Sequence, residues 1–490
     1  MMLGVMEQRL GEFARVLGVG QEREPGHPGE DAAEGLEGIA RAVEDALGPP
    51  DRTHAYLLLA VLDARVPTEE EVVDLVRAWR VDGIHELLGS RLRGARRRSL
   101  AGPALPVRVV DGTVIDVTDT AQSAFTTGIQ RVARETVGRW TKDRDVLLVC
   151  WDASFSSLRT LDAPMRERAG AAPAQSRREI VIPFGATLVL PEIAVEPRRA
   201  ARLRSIARFA GGRTVAIGFD CIPVTTAEVA GPGMPGAFSK YLSCLAHFDL
   251  VVPISHASAA EYLGWRAMLA GAGLAGPRID PIELPSTGVP PATGTIEATS
   301  AQLGLGDGTV VLAIGSHEPR KNHVNFLHAA ELSWRAGHDF TVVMVGGNSW
   351  NTESFDRIVG QLRRRGRRIV TVSRAEDAMV WDLYRLARFS VFCSLNEGFG
   401  LPVVESLASG TPVITSDFGS MRDIGEGHGA VLVDPADVEA MAAAMSRLLE
   451  DDGALAELEA ATSSLPRSTW DDYAAALWRA ASPETVPTAP

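Results

Sequence analysis

Residues 389–417 read FSVFCSLNEGFGLPVVESLASGTPVITSD, and this stretch decides the fold. It opens with an apolar run that is typical of a buried parallel strand. A glycine loop follows, and Pro402 suits the first position of a helix, which we expect to end about two turns later at Gly410. A second apolar run begins at Pro412. Strand, glycine loop, helix and strand in this order predict part of a doubly wound parallel sheet.

The same alternation continues on both sides of this stretch. Residues 300–467 carry apolar runs that predict strands at 310–315, 340–347, 368–373, 389–395, 412–417 and 430–434. Residues 104–299 carry another series, with strands expected at 114–118, 146–151, 187–193, 214–219 and 250–255. The segment 284–300 between them is rich in proline and glycine, which is typical of an interdomain linker. The sequence therefore predicts an α/β protein with two facing, doubly wound Rossmann-like domains, 104–299 and 300–467.

Helical patterns flank the two predicted domains. We expect residues 1–103 to form a helical extension, because THAYLLLAVLDARV and EEEVVDLVRAWRV carry apolar residues at helical spacing. Thr68 suits the N-cap of the second of these helices. Residues 468–482 predict a final helix with Ser468 as its N-cap, and we expect that helix to pack back across both domains.

The composition argues against several classes of protein. The formal net charge is −13, which disfavours non-specific binding to nucleic acid. No apolar run reaches the ~18 residues of a membrane-spanning helix, and charges interrupt the N-terminal apolar pattern, so we expect a cytoplasmic protein. The basic run from Arg91 to Arg98 is either a solvated linker, which we favour, or a contact with an acidic partner or the inner face of an anionic membrane. The four cysteines form no CxxC motif, so we expect buried thiols rather than a metal site.

Two glutamates, Glu397 and Glu405, bracket the glycine loop of the opening stretch. Gly398 and Gly400 have no side chains, so backbone N–H groups there can approach a ligand closely. The positive end of the helix dipole favours a phosphate, and a carboxylate accepts well from the hydroxyls of a ribose or a hexose. We expect Glu397 in the loop and Glu405 in the first helical turn. The alternative is a helix start with a capping carboxylate and a surface glutamate.

A second group of candidates follows the first strand of the second domain, where residues 315–323 read GSHEPRKNH. Ligands of doubly wound sheets bind at the carboxyl ends of the strands, so Arg320 and Lys321 would lie beside a diphosphate. Lys321 is one of only three lysines among 49 basic residues, which fits a position that requires a compact point charge. An ordinary exposed basic turn is the alternative.

The first domain offers two weaker candidates. Gly128 lies in TTGIQRVARE just before a helix, where its loop can present N–H groups to an anion. Arg131 and Arg134 on that helix are either acceptor contacts or simply one helix face. Asp220, in GFDCIP, is either a catalytic carboxylate or a turn-forming residue at the end of a strand.

These motifs resemble those of the retaining family 4 glycosyltransferases, which have the GT-B fold. LNEGFGLPVVESLASGTPVITSD resembles the E-x7-E signature of that family, GSHEPRKNH its EPRKN motif, and TGIQRV its first-domain glycine loop. The resemblance extends from about Ile115 to Trp478 and is strongest in the second domain. It implies that Glu397 contacts the transferred sugar and that Glu405 holds the ribose hydroxyls of the nucleotide.

The resemblance also assigns the phosphate contacts. The N–H groups from Phe399 to Leu401 would lie near the sugar and the diphosphate. Lys321 would balance the charge of the leaving diphosphate. Gly128 would lie against the donor phosphate and the acceptor.

Two positions depart from the family pattern. Many members carry an arginine just after the glycine of the first strand in the second domain. This chain has Ser316 there, within the predicted donor site, so Arg320 or His317 would supply the second positive charge. Phe219 replaces a histidine that lies near the reacting sugar in many relatives, so either the geometry has shifted or His256 or His317 serves instead.

The resemblance implies transfer of a hexose or deoxyhexose from a nucleoside-diphosphate sugar to a hydroxyl acceptor in polysaccharide, glycolipid or natural-product assembly. The TGIQRV and EPRKN motifs favour GDP-mannose or a similar donor. We expect no metal, because no DxD motif lies in a suitable loop, and no dinucleotide cofactor, because no GxGxxG motif opens either domain. The alternatives are a GT-B epimerase or phosphorylase, and a GT-B scaffold or binding protein that has lost catalysis.

Overall fold

The computed structural model describes residues 2–18, 47–84, 105–123, 127–174, 177–286, 296–347 and 349–482. Two β-sheets organise these residues, and buried apolar clusters lie on both faces of each sheet. The basic run Arg91–Arg98 and residues 287–295 of the predicted linker lie outside the described residues. No helix of the described residues is long and apolar enough to cross a membrane.

The helices are numbered in chain order over the described residues. They are α1 (Met2–Val16), α2 (Arg52–Asp63), α3 (Glu69–Asp82), α4 (Thr118–Gln122), α5 (Gly128–Asp143), α6 (Ala163–Arg168), α7 (Pro197–Phe209), α8 (Ile222–Thr225), α9 (Met234–Leu245), α10 (His256–Gly271), α11 (Ile296–Leu303), α12 (His323–Arg335), α13 (Glu353–Arg364), α14 (Asp377–Leu386), α15 (Leu401–Ala408), α16 (Gly419–Gly425), α17 (Val438–Glu450), α18 (Asp452–Ala461) and α19 (Trp470–Ala481).

The first sheet is mixed. Its strands are β1 (Val107–Val110), β2 (Thr113–Asp116), β3 (Val146–Trp151), β4 (Leu158–Thr160), β5 (Ile180–Pro183), β6 (Thr187–Leu190), β7 (Arg213–Gly218), β8 (Leu250–Pro253) and β9 (Arg278–Ile279), in the order β1-β5-β4-β3-β2-β6-β7-β8-β9. The five predicted strands are present as β2, β3, β6, β7 and β8. The other four were not predicted, because they are two to four residues long and too short for a clear pattern. One of them, β4, runs antiparallel to β3 and β5, so the expectation of a fully parallel sheet was wrong.

The second sheet is parallel throughout. Its strands are β10 (Val310–Ile314), β11 (Thr341–Val345), β12 (Ile369–Val372), β13 (Phe389–Phe392), β14 (Val413–Ser416) and β15 (Ala430–Val433), and all six were predicted. Their order is β12-β11-β10-β13-β14-β15. The chain therefore moves outward from β10 in one direction and then from β13 in the other. Ligands of doubly wound sheets bind at such a reversal point, at the carboxyl ends of the two central strands.

The N-terminal helices share a hydrophobic core with the first sheet. Helix α2 is buried on all sides from Ala55 to Leu62, and its residues lie in one cluster with Val114 of β2 and Leu188 of β6. Thr68 caps α3 in a capping box, as predicted. These helices thus belong to the core of the first sheet, and the expected boundary at residue 103 stays a prediction.

The C-terminal helix α19 packs against the first domain. Trp140 of α5 donates its indole N–H to the carbonyl of Ala474 at 2.9 Å, and Leu477 lies in one cluster with Ile115 of β2. The expected N-cap was wrong by one residue. Thr469 caps the helix in a capping box with Asp472, because its hydroxyl accepts from the Asp472 N–H at 3.2 Å.

A buried ionic network fixes the loop that follows β2. The Arg199 guanidinium lies 3.0 Å from Asp116 at the end of β2 and 2.6 Å from Glu192 beyond β6. Glu192 also accepts from the N–H groups of Asp119 and Thr120 at 2.7 and 2.9 Å, which anchors the short helix α4. Burial of charge is tolerated when hydrogen bonds satisfy it in this way. The network thereby fixes α4 beside the end of β2.

Candidate active site

The candidate site lies where the carboxyl ends of β10 and β13 meet the first domain. The loop after β10 carries Arg320 and Lys321 on a 3-10 turn, Pro319–Lys321, and the loop after β13 carries Glu397. Both loops therefore lie at the reversal point of the second sheet. The loop after β7, with Asp220, and the N-terminus of α5 approach from the first domain.

Glu397 forms a compact ionic cluster with the two predicted cations. The Lys321 ammonium donates to Oε1 of Glu397 at 2.6 Å, and the Arg320 guanidinium lies 2.8 Å from Oε2. Ser394 donates to Oε1 as well, at 2.6 Å. Burial alone would raise the pKa of the Glu397 carboxyl, but Lys321 and Arg320 outweigh it and lower this pKa to about 2. The carboxylate is therefore ionised at neutral pH and partly neutralises both cations.

Asp220 lies against the glycine loop from the opposite domain. A Cβ added at Gly398 would lie 2.7 Å from the Phe219 carbonyl oxygen and 3.0 Å from Oδ2 of Asp220, so only glycine fits this approach. Asp220 also accepts from the N–H of Ile222 at 3.2 Å. Burial raises the pKa of Asp220 to about 6 against the opposing effect of Arg320. Asp220 therefore lies beside the glycine loop, and its catalytic role stays a prediction.

The N-termini of two helices meet in the cleft. Gly400 has a left-handed conformation with φ of 100° and directly precedes Leu401, the first residue of α15; Pro402 is therefore the second residue, not the first. Gly128 is the first residue of α5, and a Cβ at this glycine would lie 3.8 Å from the Leu401 side chain. Because each helix N-terminus carries partial positive charge, their junction favours an anion.

Glu405 lies in the second turn of α15, rather than in the first turn as expected. Its Oε1 accepts from the Arg131 guanidinium of α5 at 2.7 Å, and its Oε2 accepts from the Tyr384 hydroxyl at 3.1 Å. Burial raises the pKa of Glu405, while Arg131 and Tyr384 lower it. The sequence left Arg131 as either an acceptor contact or part of one helix face. The structure adds a third interpretation, because Arg131 pairs with Glu405 across the cleft. Arg134 points elsewhere and donates to the Arg168 carbonyl at 2.7 Å.

The two histidines that were considered as substitutes have different surroundings. His256 is 72% exposed and lies 3.9 Å from Glu283 on the surface. His317 is buried and stacks on Phe355 with ring centroids 4.0 Å apart. Ser316 follows β10, where its backbone packs closely against Gly346 of the neighbouring loop.

The side chains of Phe219 and Phe399 are core residues. Both are buried, and both lie in the apolar cluster that joins the first sheet to α15 through Val404. The backbone of Phe399 stays within the glycine loop. Any contact with a donor would therefore use its N–H group rather than its ring.

Several side chains that were not predicted from the sequence form hydrogen bonds between the two domains. The hydroxyls of Ser255 and Ser258, at the start of α10, donate to the Gly398 carbonyl at 2.6 and 2.9 Å. Asn396 donates to Glu261 of the same helix at 3.3 Å. Trp350, beyond β11, donates to the Val229 carbonyl at 3.2 Å. These partners come from distant parts of the chain, and no local pattern pairs them.

Comparison with known proteins supports the interpretation of the second domain. Residues 295–464 match the model of the family described as "Glycosyl transferases group 1". Similar curated proteins include the serotype-specific mannosyltransferase WbdA of Escherichia coli, at 28% identity over 233 residues, which are 45% of this chain and 28% of that protein. O-antigen chain mannosyltransferase B of Escherichia coli is 34% identical over 145 residues, 29% of this chain and 37% of that protein. The chain thus spans less than half the length of these relatives.

Solved structures share the fold over most of the chain. Sucrose-phosphate synthase from Thermosynechococcus elongatus aligns with a TM-score of 0.54 and 16% identity, covering 76% of this chain and 98% of that one. Anabaena HepE in complex with UDP and glucose aligns with a TM-score of 0.55 and 14% identity, covering 76% and 99%. These structures show that the chain has the GT-B fold, with two facing Rossmann-like domains. Within that fold, residues 295–464 are the part whose sequence is similar to the group 1 glycosyl transferases.

Proposed function

We propose that this protein is a retaining glycosyltransferase that moves a hexose or deoxyhexose from a nucleoside-diphosphate sugar to a hydroxyl acceptor. The observation that supports it best is the convergence of an anion site and two carboxylates at one point of the cleft. The anion site consists of the N-termini of α5 and α15 together with Lys321 and Arg320. The carboxylates are Glu397 and Glu405. A nucleoside-diphosphate sugar offers the matching groups: a diphosphate between two polyols.

In this proposal the donor lies mainly on the second domain. Glu405 accepts from the ribose hydroxyls, and the N–H groups of residues 399–401 bind the diphosphate at the start of α15. Glu397 accepts from hydroxyls of the transferred sugar. The acceptor enters from the first domain, and the contacts between Ser255, Ser258 and Gly398 hold the cleft closed, which excludes water from the reaction.

The reaction breaks the bond between the anomeric carbon and the diphosphate oxygen, and forms a bond from that carbon to the acceptor oxygen. Lys321 and Arg320 stabilise the negative charge that develops on the departing diphosphate. The acceptor attacks the face that the diphosphate leaves, and a departing phosphate oxygen takes the acceptor proton, so configuration is retained. In this scheme, cationic side chains of the protein neutralise the charge of the diphosphate. Asp220 lies beside the glycine loop, where it can orient the acceptor or a sugar hydroxyl.

GDP-mannose is the donor that we favour. Both curated relatives described above are named mannosyltransferases, and one of these names refers to O-antigen chains. A growing polysaccharide is accordingly the first acceptor to test, with glycolipids and natural products next. A cytoplasmic location belongs to the same proposal, and contact of Arg91–Arg98 with the inner face of a membrane is the less favoured alternative to a solvated linker. Flotation of the protein with anionic and neutral vesicles tests the membrane contact.

A thermal-shift panel of UDP, GDP, dTDP, ADP and CMP tests the donor site first. A nucleotide at a hundred times its dissociation constant stabilises the folded protein by about 2.7 kcal/mol. We expect one nucleoside diphosphate to exceed the others, with GDP favoured. If a folded sample responds to none of them, the alternative of a scaffold that has lost catalysis becomes the better account.

A further inference from the structure

The first domain places an arginine on the carboxylate that the proposed function reserves for ribose. Arg131 is the fourth residue of α5, and its guanidinium lies 2.7 Å from Oε1 of Glu405 in α15. The Glu405 side chain is 14% exposed and that of Arg131 is 33% exposed. Ribose hydroxyls that bind Glu405 therefore meet a carboxylate that already has a cationic partner, and that partner has room to move.

The cations of the second domain are held by other groups. Arg320 lies between Glu318 at 2.6 Å and Glu397 at 2.8 Å, and it also donates to the Asn396 carbonyl at 2.8 Å. Lys321 is bound to Glu397. Position 316, directly after β10, carries an uncharged serine. A diphosphate at the start of α15 would carry more negative charge than the remaining positive charge of these partly neutralised groups can balance.

Arg131 can reach that diphosphate from its present position. Its own helix begins at Gly128, three residues earlier, and Gly128 lies against Leu401 at the start of α15. Glu405 lies about one helical turn, roughly 5–6 Å, further along α15. A rotamer change of one long side chain spans this distance, so the guanidinium can contact either the carboxylate or an anion at the helix N-terminus.

We propose that Arg131 is a donor-binding residue that changes partners. In the structure its guanidinium pairs with Glu405. When ribose binds Glu405, Arg131 moves to the diphosphate and supplies the positive charge that Ser316 lacks. This inference rests on the proposed function, since it assumes that a nucleoside diphosphate binds at the start of α15. It assigns one donor contact to the first domain, and thereby couples closure of the cleft to the presence of the phosphates.

Loss of Arg131 should affect a nucleoside and a nucleoside diphosphate differently. Without Arg131 a nucleoside no longer competes with a cation for Glu405, so its affinity should stay the same or increase. A nucleoside diphosphate loses a charge-assisted contact, so its affinity should fall by roughly ten-fold or more. The affinity for the nucleoside diphosphate divided by the affinity for the nucleoside measures what the phosphates contribute to binding. This ratio should therefore decrease when Arg131 is removed.

Isothermal titration of the full chain with GDP and guanosine, or with the pair selected by the nucleotide panel, measures this ratio. The variants are Arg131→Gln and, as the matched control, Arg134→Gln, whose arginine lies one turn away and donates to the Arg168 carbonyl. We expect the ratio to fall at least ten-fold in Arg131→Gln and to stay at the parent value in Arg134→Gln. An unchanged or increased ratio in Arg131→Gln overturns the assignment, even if both affinities fall together. If the parent binds no nucleoside diphosphate, the proposed function fails instead.

Discussion

Replacing Glu405 by glutamine tests the nucleotide end of the proposed donor site. The carboxylate accepts from Arg131 at 2.7 Å and from Tyr384 at 3.1 Å, so it already lies in a geometry suited to two donors. Glutamine has the same size, but it offers one acceptor oxygen and no charge. One charge-assisted hydrogen bond to a ribose hydroxyl is then lost, which is worth about 1.5–3 kcal/mol. We expect the Kd for the nucleoside diphosphate to rise by roughly 10- to 150-fold.

The variant should remain folded. Burial raises the pKa of Glu405 in spite of its ion pair with Arg131, so replacing the carboxylate by a neutral amide of the same size should cost little stability. A thermal melt without ligand measures this cost separately. Weaker nucleotide binding in a sample with a nearly unchanged Tm therefore reports on the site itself.

Isothermal titration with the nucleoside diphosphate that stabilises the parent most provides the affinity. Tyr384→Phe is the matched control, because it removes one hydroxyl from Oε2 and leaves the carboxylate in place. We expect a smaller loss of affinity for this control than for Glu405→Gln. An affinity of Glu405→Gln equal to that of the parent would refute the ribose contact.

Three further perturbations test other parts of the cleft. Glu397→Gln should lower kcat by roughly 100-fold. The affinity for a nucleoside diphosphate should stay the same or increase, because Lys321 and Arg320 lose their counter-charge. Steady-state kinetics measures kcat and titration measures the affinity, and an unchanged kcat would contradict the sugar contact. Asp220 has a pKa raised to about 6, so its stabilising effect is complete below its unfolded pKa and is lost as pH rises to about 6. The unfolding free energy of the parent relative to Asp220→Asn should accordingly fall between about pH 4 and 6, and a flat difference would argue against the raised pKa. Gly398→Ala would bring a methyl group within 2.7 Å of the Phe219 carbonyl oxygen. We therefore expect kcat to fall and small-angle scattering to show a more open molecule. Gly264→Ala is the control, because a methyl group there would have no atom within 4 Å, and it should match the parent.

The second domain could be predicted closely because its signals are local. Each of its six strands is a buried apolar run next to a helix. Arg320 and Lys321 lie in the loop after β10, and Glu397 lies in the loop after β13. Strand ends in a doubly wound sheet converge at one edge, so sequence position alone implies proximity. Small errors remained where neighbouring residues compete for one role, as with Thr469 in place of Ser468 as the N-cap of α19.

The first domain and the domain contacts could be predicted only in part. Strands such as β4, three residues long, bury too few side chains to leave a pattern. The pair of Arg131 with Glu405, and the hydroxyls of Ser255 and Ser258 on Gly398, join residues more than a hundred positions apart. Such partners depend on how two folded domains approach each other. Periodicity within a segment carries no information about that approach.

Transfer itself tests the central claim most directly. The purified protein is incubated with GDP-mannose, and in parallel with UDP-glucose and a dTDP-deoxysugar, together with a polysaccharide or lipid-linked acceptor fraction. Lys321→Ala serves as the negative control. We expect acceptor-dependent release of one nucleoside diphosphate, a product heavier by one sugar residue, and a new linkage with the anomeric configuration of the donor. Nucleotide binding without release of nucleoside diphosphate from any donor, or a product with inverted configuration, would contradict the account.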